Sequence, residues 1–371
     1  MPLSNFKISL KELKKVDKWM IISIILITSF GIVNIYLAKK TTAGGMLFPV
    51  KQSVFFIASL VLLYFVLAID YSIIKAFTPI FYWGSIALLV LVLIIGSTIN
   101  GAQGWIRLPA ELAKIGTIMM MGKKLDDMDG EINNIKNFFI LAFYAIIPAG
   151  LIVIQPDMGM TMVLFFMVLG VFFIGGLDKR IILGGLGALI LGIVLVWNSG
   201  LIQDYQKKRI TSFQNPEADS SDSGYHLRQS LIAIGSGGFF GSLNSLANDG
   251  TGGYSSQYVP EIQTDFIFTQ VCEQWGTFGA ICLLSLYVLL LSRMINIAES
   301  SKDIFGRIVT TGMIAYLLFA IWQNIGMTIG LMPITGITLP LVSYGGSSLL
   351  TTILSLGLVM NIGMRKTKIN F

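Results

Sequence analysis

The sequence predicts an all-α, polytopic membrane protein of about ten transmembrane helices, with a large extracellular loop between helices 7 and 8. Of its 371 residues 54% are hydrophobic and only 12% are charged, too few to cover the surface of a soluble globule of this size. The apolar residues form runs of about 20, the length that a helix needs to cross a hydrocarbon core about 30 Å thick. The chain is therefore predicted to be one membrane domain over residues 1–371.

The hydrophobic runs predict where the spans lie. The first run follows a basic segment, as in a secretory signal peptide, but residues 19–37 are longer than a usual signal core, so we interpret them as a span. The spans are expected near residues 19–38, 50–69, 79–98, 108–122, 137–155, 158–176, 181–198, 266–292, 307–330 and 343–364.

The basic residues predict the orientation of these spans. With the N-terminus inside, cytoplasmic segments contain seventeen of the 26 lysines and arginines. The positive-inside rule then places residues 1–18 and 365–371 in the cytoplasm. Residues 199–265 form the extracellular loop, because loops longer than about 60 residues are translocated with little regard to charge. This loop mixes apolar stretches with the glycine-rich residues 235–238, which favours partial helices at the membrane surface.

Charged residues inside spans are candidate functional residues, since each costs about 3 kcal/mol on insertion scales. Glu111 and Lys114 are three residues apart on one face of the fourth span, as in a structural ion pair or in the lining of a polar cavity. Asp157 follows a proline at a predicted helix start, where helix capping alone would explain it. Both interpretations remain open for each of these residues.

Two more carboxylates belong to the eighth span. Asp265 stands at its start, directly after the polar loop, where a plain helix N-terminal charge is one explanation. Glu273 lies two turns further along the same face, where an interaction with Lys114 or Arg209 is plausible. The chain has a single histidine, and its two cysteines are ten residues apart in one predicted helix, so a zinc site is not expected. Any metal should be a hard ion with oxygen ligands.

Residues 332–340 contain two prolines and a glycine at membrane depth or at its edge. Such irregular backbone is tolerated there only where protein or a water-filled cavity satisfies its polar groups. The small residues that follow, at positions 343–348, allow close helix approach.

Several segments in order resemble the motifs of one family. They are residues 100–107 (Asn-Gly-Ala-Gln-Gly-Trp-Ile-Arg), 111–114 (Glu-Leu-Ala-Lys), 155–157 (Gln-Pro-Asp), 209–210 with 215–217, 229–230 with 234–238, 264–268 (Thr-Asp-Phe-Ile-Phe) and 340–348. Together they resemble the SEDS family of cell-wall proteins, typified by RodA, FtsW and SpoVE, over nearly the whole chain. Residues 100–102 and 347–362 look more like the RodA branch, whereas Gln263 replaces a histidine that is common in the family.

The resemblance implies a peptidoglycan glycosyltransferase of the bacterial cytoplasmic membrane, serving cell elongation and shape. It would polymerise lipid II on the outer side, into β-1,4-linked strands, and release undecaprenyl diphosphate. It also implies a divalent cation, Mg²⁺ or Mn²⁺, and partners that include a class B penicillin-binding protein and other membrane proteins of the elongation complex. No organic cofactor and no nucleic-acid partner are expected.

The resemblance also implies roles for individual residues. Asp265 is expected to be the general base that takes the proton of the acceptor hydroxyl. The residues expected to bind substrate or its diphosphate are Arg107, Lys114, Arg209, Gln229, Gln263 and Ser343. The expected cavity carboxylates are Glu111, Asp157 and Glu273, and the possible metal ligands are Asp265, Glu111 and Asp157.

Two other functions fit parts of the same pattern. A flippase or transporter of lipid-linked precursors would also have charges within the membrane and a broken helix near residues 332–340. No internal repeat is evident, which weighs against a transporter. A scaffold that only recruits partners would leave the buried charges without a function.

Overall fold

The computed structural model describes residues 15–95, 98–99, 102–103, 108–155, 157–187, 223–242 and 253–365. The helices within these ranges are α1 Lys18–Lys39, α2 Leu47–Ala68, α3 Tyr71–Ile95, α4 Leu108–Asp127, α5 Ile135–Ile154, α6 Met158–Ile174, α7 Ser223–Gly237, α8 Tyr254–Tyr258, α9 Ile267–Glu299, α10 Ile304–Thr328 and α11 Gly346–Met364. Residues 179–187 are helical as well.

Seven of the described helices are long and apolar enough to cross a bilayer, namely α1, α2, α3, α5, α9, α10 and α11. Helix α6 is apolar but has only 17 residues. The polytopic all-α prediction is confirmed, and each of these helices overlaps a predicted span. Of the predicted seventh span, 181–198, only the part up to residue 187 belongs to the described residues.

Helix α4, the predicted fourth span, lies at the centre of the bundle. It packs against α3, α5, α6, α10 and α11, and fourteen of its 20 residues are buried. Its Glu111 and Lys114 therefore meet protein rather than lipid. This placement explains how a helix with a low mean hydropathy occupies a bundle of apolar spans, since its polar groups find partners inside the protein.

The third span, expected near residues 79–98, begins about eight residues earlier than predicted. Helix α3 begins at Tyr71 and contains Pro79. Its beginning is fixed by Asp70, whose Oδ1 accepts a hydrogen bond from the Ser72 backbone N–H at 2.8 Å. Proline is tolerated within such helices because neighbouring groups satisfy the freed carbonyl.

A short hairpin follows α3 where the prediction extended the helix to residue 98. Thr98–Ile99 (β1) pairs antiparallel with Ala102–Gln103 (β2), with Thr98 opposite Gln103. The two residues between the strands are Asn100 and Gly101, a pair that favours a tight two-residue turn. Helix α3 therefore ends at Ile95, three residues before the predicted end of the span.

Residues 223–242 and 253–265 of the predicted loop belong to the described ranges, and they contain the helices α7 and α8. The rest of the loop, residues 199–222 and 243–252, lies outside the described ranges. After α7 the chain turns through Gly238 and packs on a break in α9 at Gly276, where φ is 63° and ψ is −165°. Backbone hydrogen bonds fasten the two segments together, including Ser242 N to Glu273 O at 2.9 Å and Thr277 N to Gly238 O at 3.0 Å. The loop is thus bound to the span that follows it.

Gly276→Ala is expected to destabilise the protein, because only glycine readily adopts this backbone conformation. An added Cβ would lie 2.4 Å from both Gly241 N and Phe239 O, so the fastened turn would have to move. We expect the midpoint of thermal unfolding in detergent to fall by several degrees, corresponding to about 2 kcal/mol or more.

Gly150→Ala is the matched control, since Gly150 lies inside α5 and an added Cβ would meet no atom within 4 Å. Its midpoint should stay the same or rise slightly, because alanine favours a helix. Equal midpoints for the Gly276 variant and the parent protein would contradict the proposed steric role of this break.

Candidate functional site

A small polar cavity lies among α4, α6, α10 and the irregular segment that joins α10 to α11. Its volume is about 40 Å³. It is lined by Glu111, Lys114, Asp157, Gly159, Met160, Val163, Tyr316, Ala320, Gly336, Ile337 and Thr338. Three charged residues predicted from sequence therefore come together, two from α4 and one from the start of α6.

The Glu111 and Lys114 side chains form an ion pair, with Lys114 Nζ 2.5 Å from Glu111 Oε2. The ammonium also lies 3.4 Å from the centroid of the Tyr316 ring, a cation–π contact. Thr351 donates a hydrogen bond to the same carboxylate oxygen at 3.2 Å. The relative exposure of Lys114 is only 1%. The pair therefore connects α4 to α10 and α11, and it also lines the cavity. Both interpretations from the sequence, a structural ion pair and a cavity lining, describe it.

Asp157 has two functions in the described structure. It is the N-cap residue of α6, and its Oδ1 accepts a hydrogen bond from Met160 N at 2.9 Å. It also lines the cavity. Close packing holds this helix start against the irregular segment, since a Cβ added to Gly159 would lie 2.8 Å from Thr335 O. Capping thus fixes a carboxylate at the cavity wall.

The Asp265 carboxylate lies beside Gly336, a residue of the cavity wall. A Cβ added to Gly336 would lie 3.4 Å from Asp265 Oδ2, and Gly336 has a φ of 72°, which glycine adopts without strain. Gly336 lines the cavity that contains Glu111 and Lys114. The carboxylate of the predicted base therefore lies beside one residue of the cavity wall, although Asp265 itself is not among the residues that line the cavity.

Three consecutive backbone carbonyls before α9 are each held by a hydrogen bond. Gln263 O accepts from Tyr344 N at 2.8 Å, and Thr264 O accepts from the Ser343 hydroxyl at 2.6 Å. Asp265 O accepts from the Asn324 side-chain amide at 2.8 Å. The irregular segment and α10 thus fix the backbone that carries Asp265.

The predicted substrate-binding residues Ser343 and Gln263 belong to this framework. The Ser343 hydroxyl oxygen accepts a hydrogen bond from Leu339 N at 2.8 Å while it donates to Thr264 O. The Gln263 amide donates to a Glu261 carboxylate oxygen at 3.2 Å, and its own side-chain oxygen is buried and finds no hydrogen-bond partner among the described residues. Ser343 therefore shapes the segment, and Gln263 retains a polar atom for a further contact.

Glu273 and Gln229 lie elsewhere in the described structure, and neither lines the cavity. The Glu273 carboxylate accepts hydrogen bonds from the backbone N–H groups of Tyr254, at 2.5 Å, and Ser255, at 2.9 Å. Gln229 accepts a hydrogen bond from the Tyr254 hydroxyl. These side chains hold α8 against α7 and α9. The expectation that Glu273 joins the cavity carboxylates is corrected, because its carboxylate is occupied by the backbone N–H groups at the start of α8.

Arg107 and Arg209, the two predicted diphosphate-binding arginines, lie outside the described residues. Asn324 was not selected from the sequence, although it is fully buried and contacts the Asp265 backbone. A polar amide in an otherwise apolar span is the signal that would have found it.

The arrangement combines a carboxylate at a fixed backbone position beside the cavity wall with a buried cation that lines the cavity. A carboxylate can accept a proton from a hydroxyl group, and a cation and polar groups can stabilise the negative charge of a leaving group. These are the parts that glycosyl transfer from a lipid-linked diphosphate requires.

A family model described as a cell cycle protein of the FtsW, RodA and SpoVE type matches residues 14–368. The chain belongs to this family. The predicted membership in the SEDS family is therefore confirmed over nearly the whole chain, and with it the prediction of a multi-pass membrane protein related to cell-wall glycosyltransferases.

Individual SEDS relatives agree with the family match. A probable peptidoglycan glycosyltransferase FtsW from Geobacter metallireducens is 31% identical over 97% of this chain and 98% of its own length. The peptidoglycan glycosyltransferase MrdB of Escherichia coli K12 is 36% identical over 78% of each chain. Among solved structures, a chain described under the structural coordination of polymerization and crosslinking by a peptidoglycan synthase complex matches with a TM-score of 0.80. That chain is 31% identical, and the match covers 94% of this chain and 97% of that one.

Proposed function

We propose that this SEDS protein is a peptidoglycan glycosyltransferase that polymerises lipid II into β-1,4-linked glycan strands and releases undecaprenyl diphosphate. The observation that carries the proposal is the position of Asp265, whose backbone is held by α10 and whose carboxylate lies beside the cavity residue Gly336. The relatives named as peptidoglycan glycosyltransferases support the same reaction class.

Asp265 is the proposed general base. The proton of the acceptor sugar's 4-hydroxyl passes to its carboxylate while the hydroxyl oxygen attacks the anomeric carbon of the donor. The bond between that carbon and the diphosphate oxygen breaks in the same displacement, and its electron pair leaves with undecaprenyl diphosphate. One displacement converts the α-linked donor into a β-1,4 link, so the reaction needs no covalent intermediate with the protein.

Cationic side chains are proposed to stabilise the charge that develops on the diphosphate. Lys114 contributes from beneath the cavity, where Glu111 and Tyr316 hold its ammonium group. Arg107 and Arg209 are proposed to contact the diphosphate directly, because arginine binds phosphate oxygens through two parallel hydrogen bonds. Gln229, Gln263 and Ser343 remain proposed substrate-binding residues, and Glu273 is retained only as a support of the loop.

A divalent cation, Mg²⁺ or Mn²⁺, is proposed as the cofactor. Within the described ranges no three His, Cys, Asp or Glu side chains form a group that could hold a metal ion. The cavity carboxylates fit the binding mode of Mg²⁺, which commonly uses one or two carboxylates together with phosphate oxygens of the substrate. When bound, such an ion would neutralise charge on the diphosphate, and Asp157 and Asp265 are its proposed ligands, since Glu111 is paired with Lys114.

The proposed role is cell elongation, as in the RodA branch, with both termini in the cytoplasm and Asp265 facing outside. The proposed partners are a class B penicillin-binding protein, which would crosslink the new strands, and other membrane proteins of the elongation complex. The structural relative described within a peptidoglycan synthase complex supports a partnership of this kind.

The proposal is tested with purified protein in liposomes that contain fluorescently labelled lipid II and Mg²⁺ or Mn²⁺. Moenomycin is added to suppress contaminating glycosyltransferases, and the products are separated by length on a gel. We expect long glycan strands, in reactions with and without the proposed penicillin-binding partner. The same liposomes report the transmembrane movement of lipid II through the accessibility of the label to an external quencher. Movement of lipid II without any polymer would reject the enzyme and favour the flippase.

A further inference from the structure

Asn324 connects the backbone of Asp265 to the wall of the cavity. Its side chain is fully buried in α10, and its amide nitrogen donates to Asp265 O and to Ile337 O, each at 2.8 Å. Ile337 and its neighbour Gly336 line the cavity. One planar amide group therefore holds together two chain segments that are far apart in sequence.

The Asn324 side chain forms its hydrogen bonds through the amide nitrogen alone. Its nitrogen makes both contacts, whereas its Oδ1 is buried without a hydrogen-bond partner among the described residues. A buried polar atom without a partner is costly, so an asparagine that served only to fill space would be a poor choice here. The two donors on one rigid group are the feature that alanine, leucine or a hydroxyl side chain cannot reproduce.

We infer that Asn324 is a positioning residue for the transfer reaction, which sets the distance between the Asp265 carboxylate and the cavity. The inference rests on the proposed function of Asp265. Asn324 contacts the backbone of Asp265 and not its carboxylate, so it acts through geometry. A misplacement of about 1 Å can reduce a rate by about 100-fold.

The chain provides a closely matched control in Asn361 of α11. This asparagine is also fully buried, and its amide nitrogen donates to two backbone carbonyls, Val66 O at 2.6 Å and Ile69 O at 2.9 Å. It connects α11 to the end of α2 and contacts none of the cavity residues described above. Both alanine variants remove an amide that donates to two backbone carbonyls, and only Asn324→Ala removes it at Asp265. Asn361→Ala also removes the acceptor of a hydrogen bond from Arg365, so it is the more demanding control for stability.

The test measures kcat and KM for labelled lipid II in liposomes, with the folded fraction of each variant determined by size-exclusion chromatography and thermal unfolding. For Asn324→Ala we expect kcat to fall by about 10- to 100-fold with KM within about twofold of the parent value. For Asn361→Ala we expect kcat to stay within about twofold of the parent value, even if its unfolding midpoint falls by as much as that of Asn324→Ala. Asn324→Ser, which keeps one donor, should give an intermediate kcat and carries the test if the alanine variant does not fold.

Four results separate the outcomes. A kcat within twofold of the parent value for folded Asn324→Ala or Asn324→Ser, while Asp265→Ala is inactive, would overturn the inference and leave the proposed function standing. An equal loss of kcat in the Asn361 variant would also overturn it, because the loss would then follow from general destabilisation. Full activity of Asp265→Ala would reject Asp265 as the general base and the inference with it, whereas the absence of polymer from the parent protein would reject the proposed function itself.

Discussion

Asp265→Ala is expected to lower the rate of lipid II polymerisation by at least about 100-fold and to leave the protein folded. General-base catalysis typically contributes about 10²–10⁴-fold, and the variant loses the only carboxylate that the proposal assigns to proton transfer. The contacts that hold the segment, from Tyr344, Ser343 and Asn324, go to backbone carbonyls and are retained. The measurement is the initial rate of strand synthesis by purified protein, with the thermal midpoint as the test of folding.

Asp127→Ala is the control for loss of a carboxylate elsewhere. Asp127 ends α4 at the opposite end from Glu111, where its exposed carboxylate lies 3.8 Å from Lys124. Its removal should change the polymerisation rate by less than about twofold, since an exposed ion pair contributes at most about 1 kcal/mol to stability. Wild-type polymerisation by Asp265→Ala would show that another group accepts the proton.

Lys114→Met is expected to destabilise the protein by about 3–5 kcal/mol, because it leaves Glu111 buried without its cation. Replacing both members of a buried ion pair by neutral side chains of similar size is usually far less harmful than removing one. The double variant Glu111→Gln with Lys114→Met should therefore unfold at a higher temperature than Lys114→Met alone. The unfolding midpoints of both variants in one detergent, measured at one pH, test this coupling.

The double variant also separates the structural and catalytic roles of the pair. If Lys114 supports the charge on the diphosphate, the folded double variant should polymerise lipid II at least about 10-fold more slowly than the parent protein. A double variant that is as unstable as Lys114→Met would contradict the ion-pair argument. A stable and fully active double variant would restrict Lys114 to a structural role.

Some features of the site could be predicted because they depend on local chemistry. A charge within a hydrophobic run is costly wherever the helix lies, which directed attention to Glu111 and Lys114 before any contact was known. Helix capping was one of the two interpretations left open for Asp157, and the hydrogen bond from Met160 N shows that the residue does cap α6. The prolines and glycine near residue 336 correctly predicted irregular backbone between α10 and α11.

Other features could not be predicted because they depend on how helices are rotated and broken. Asp265 and Glu273 were placed on one face of a continuous helix, but α9 begins at Ile267 and breaks at Gly276. Because Asp265 precedes the first residue of α9, it does not share a helix face with Glu273: Glu273 binds the loop, while Asp265 lies beside Gly336.

The sequence by itself determined that this protein is a bundle of membrane-spanning helices of the SEDS family, and which of its charges needed an explanation. Hydrophobic length and the cost of a charge in lipid are properties of short segments, so they can be recognised without knowledge of the fold. Only the tertiary structure decided which polar groups meet. The contacts of Lys114 with Tyr316 and of Asn324 with Asp265 join residues from different helices, and their geometry follows from packing over the whole bundle.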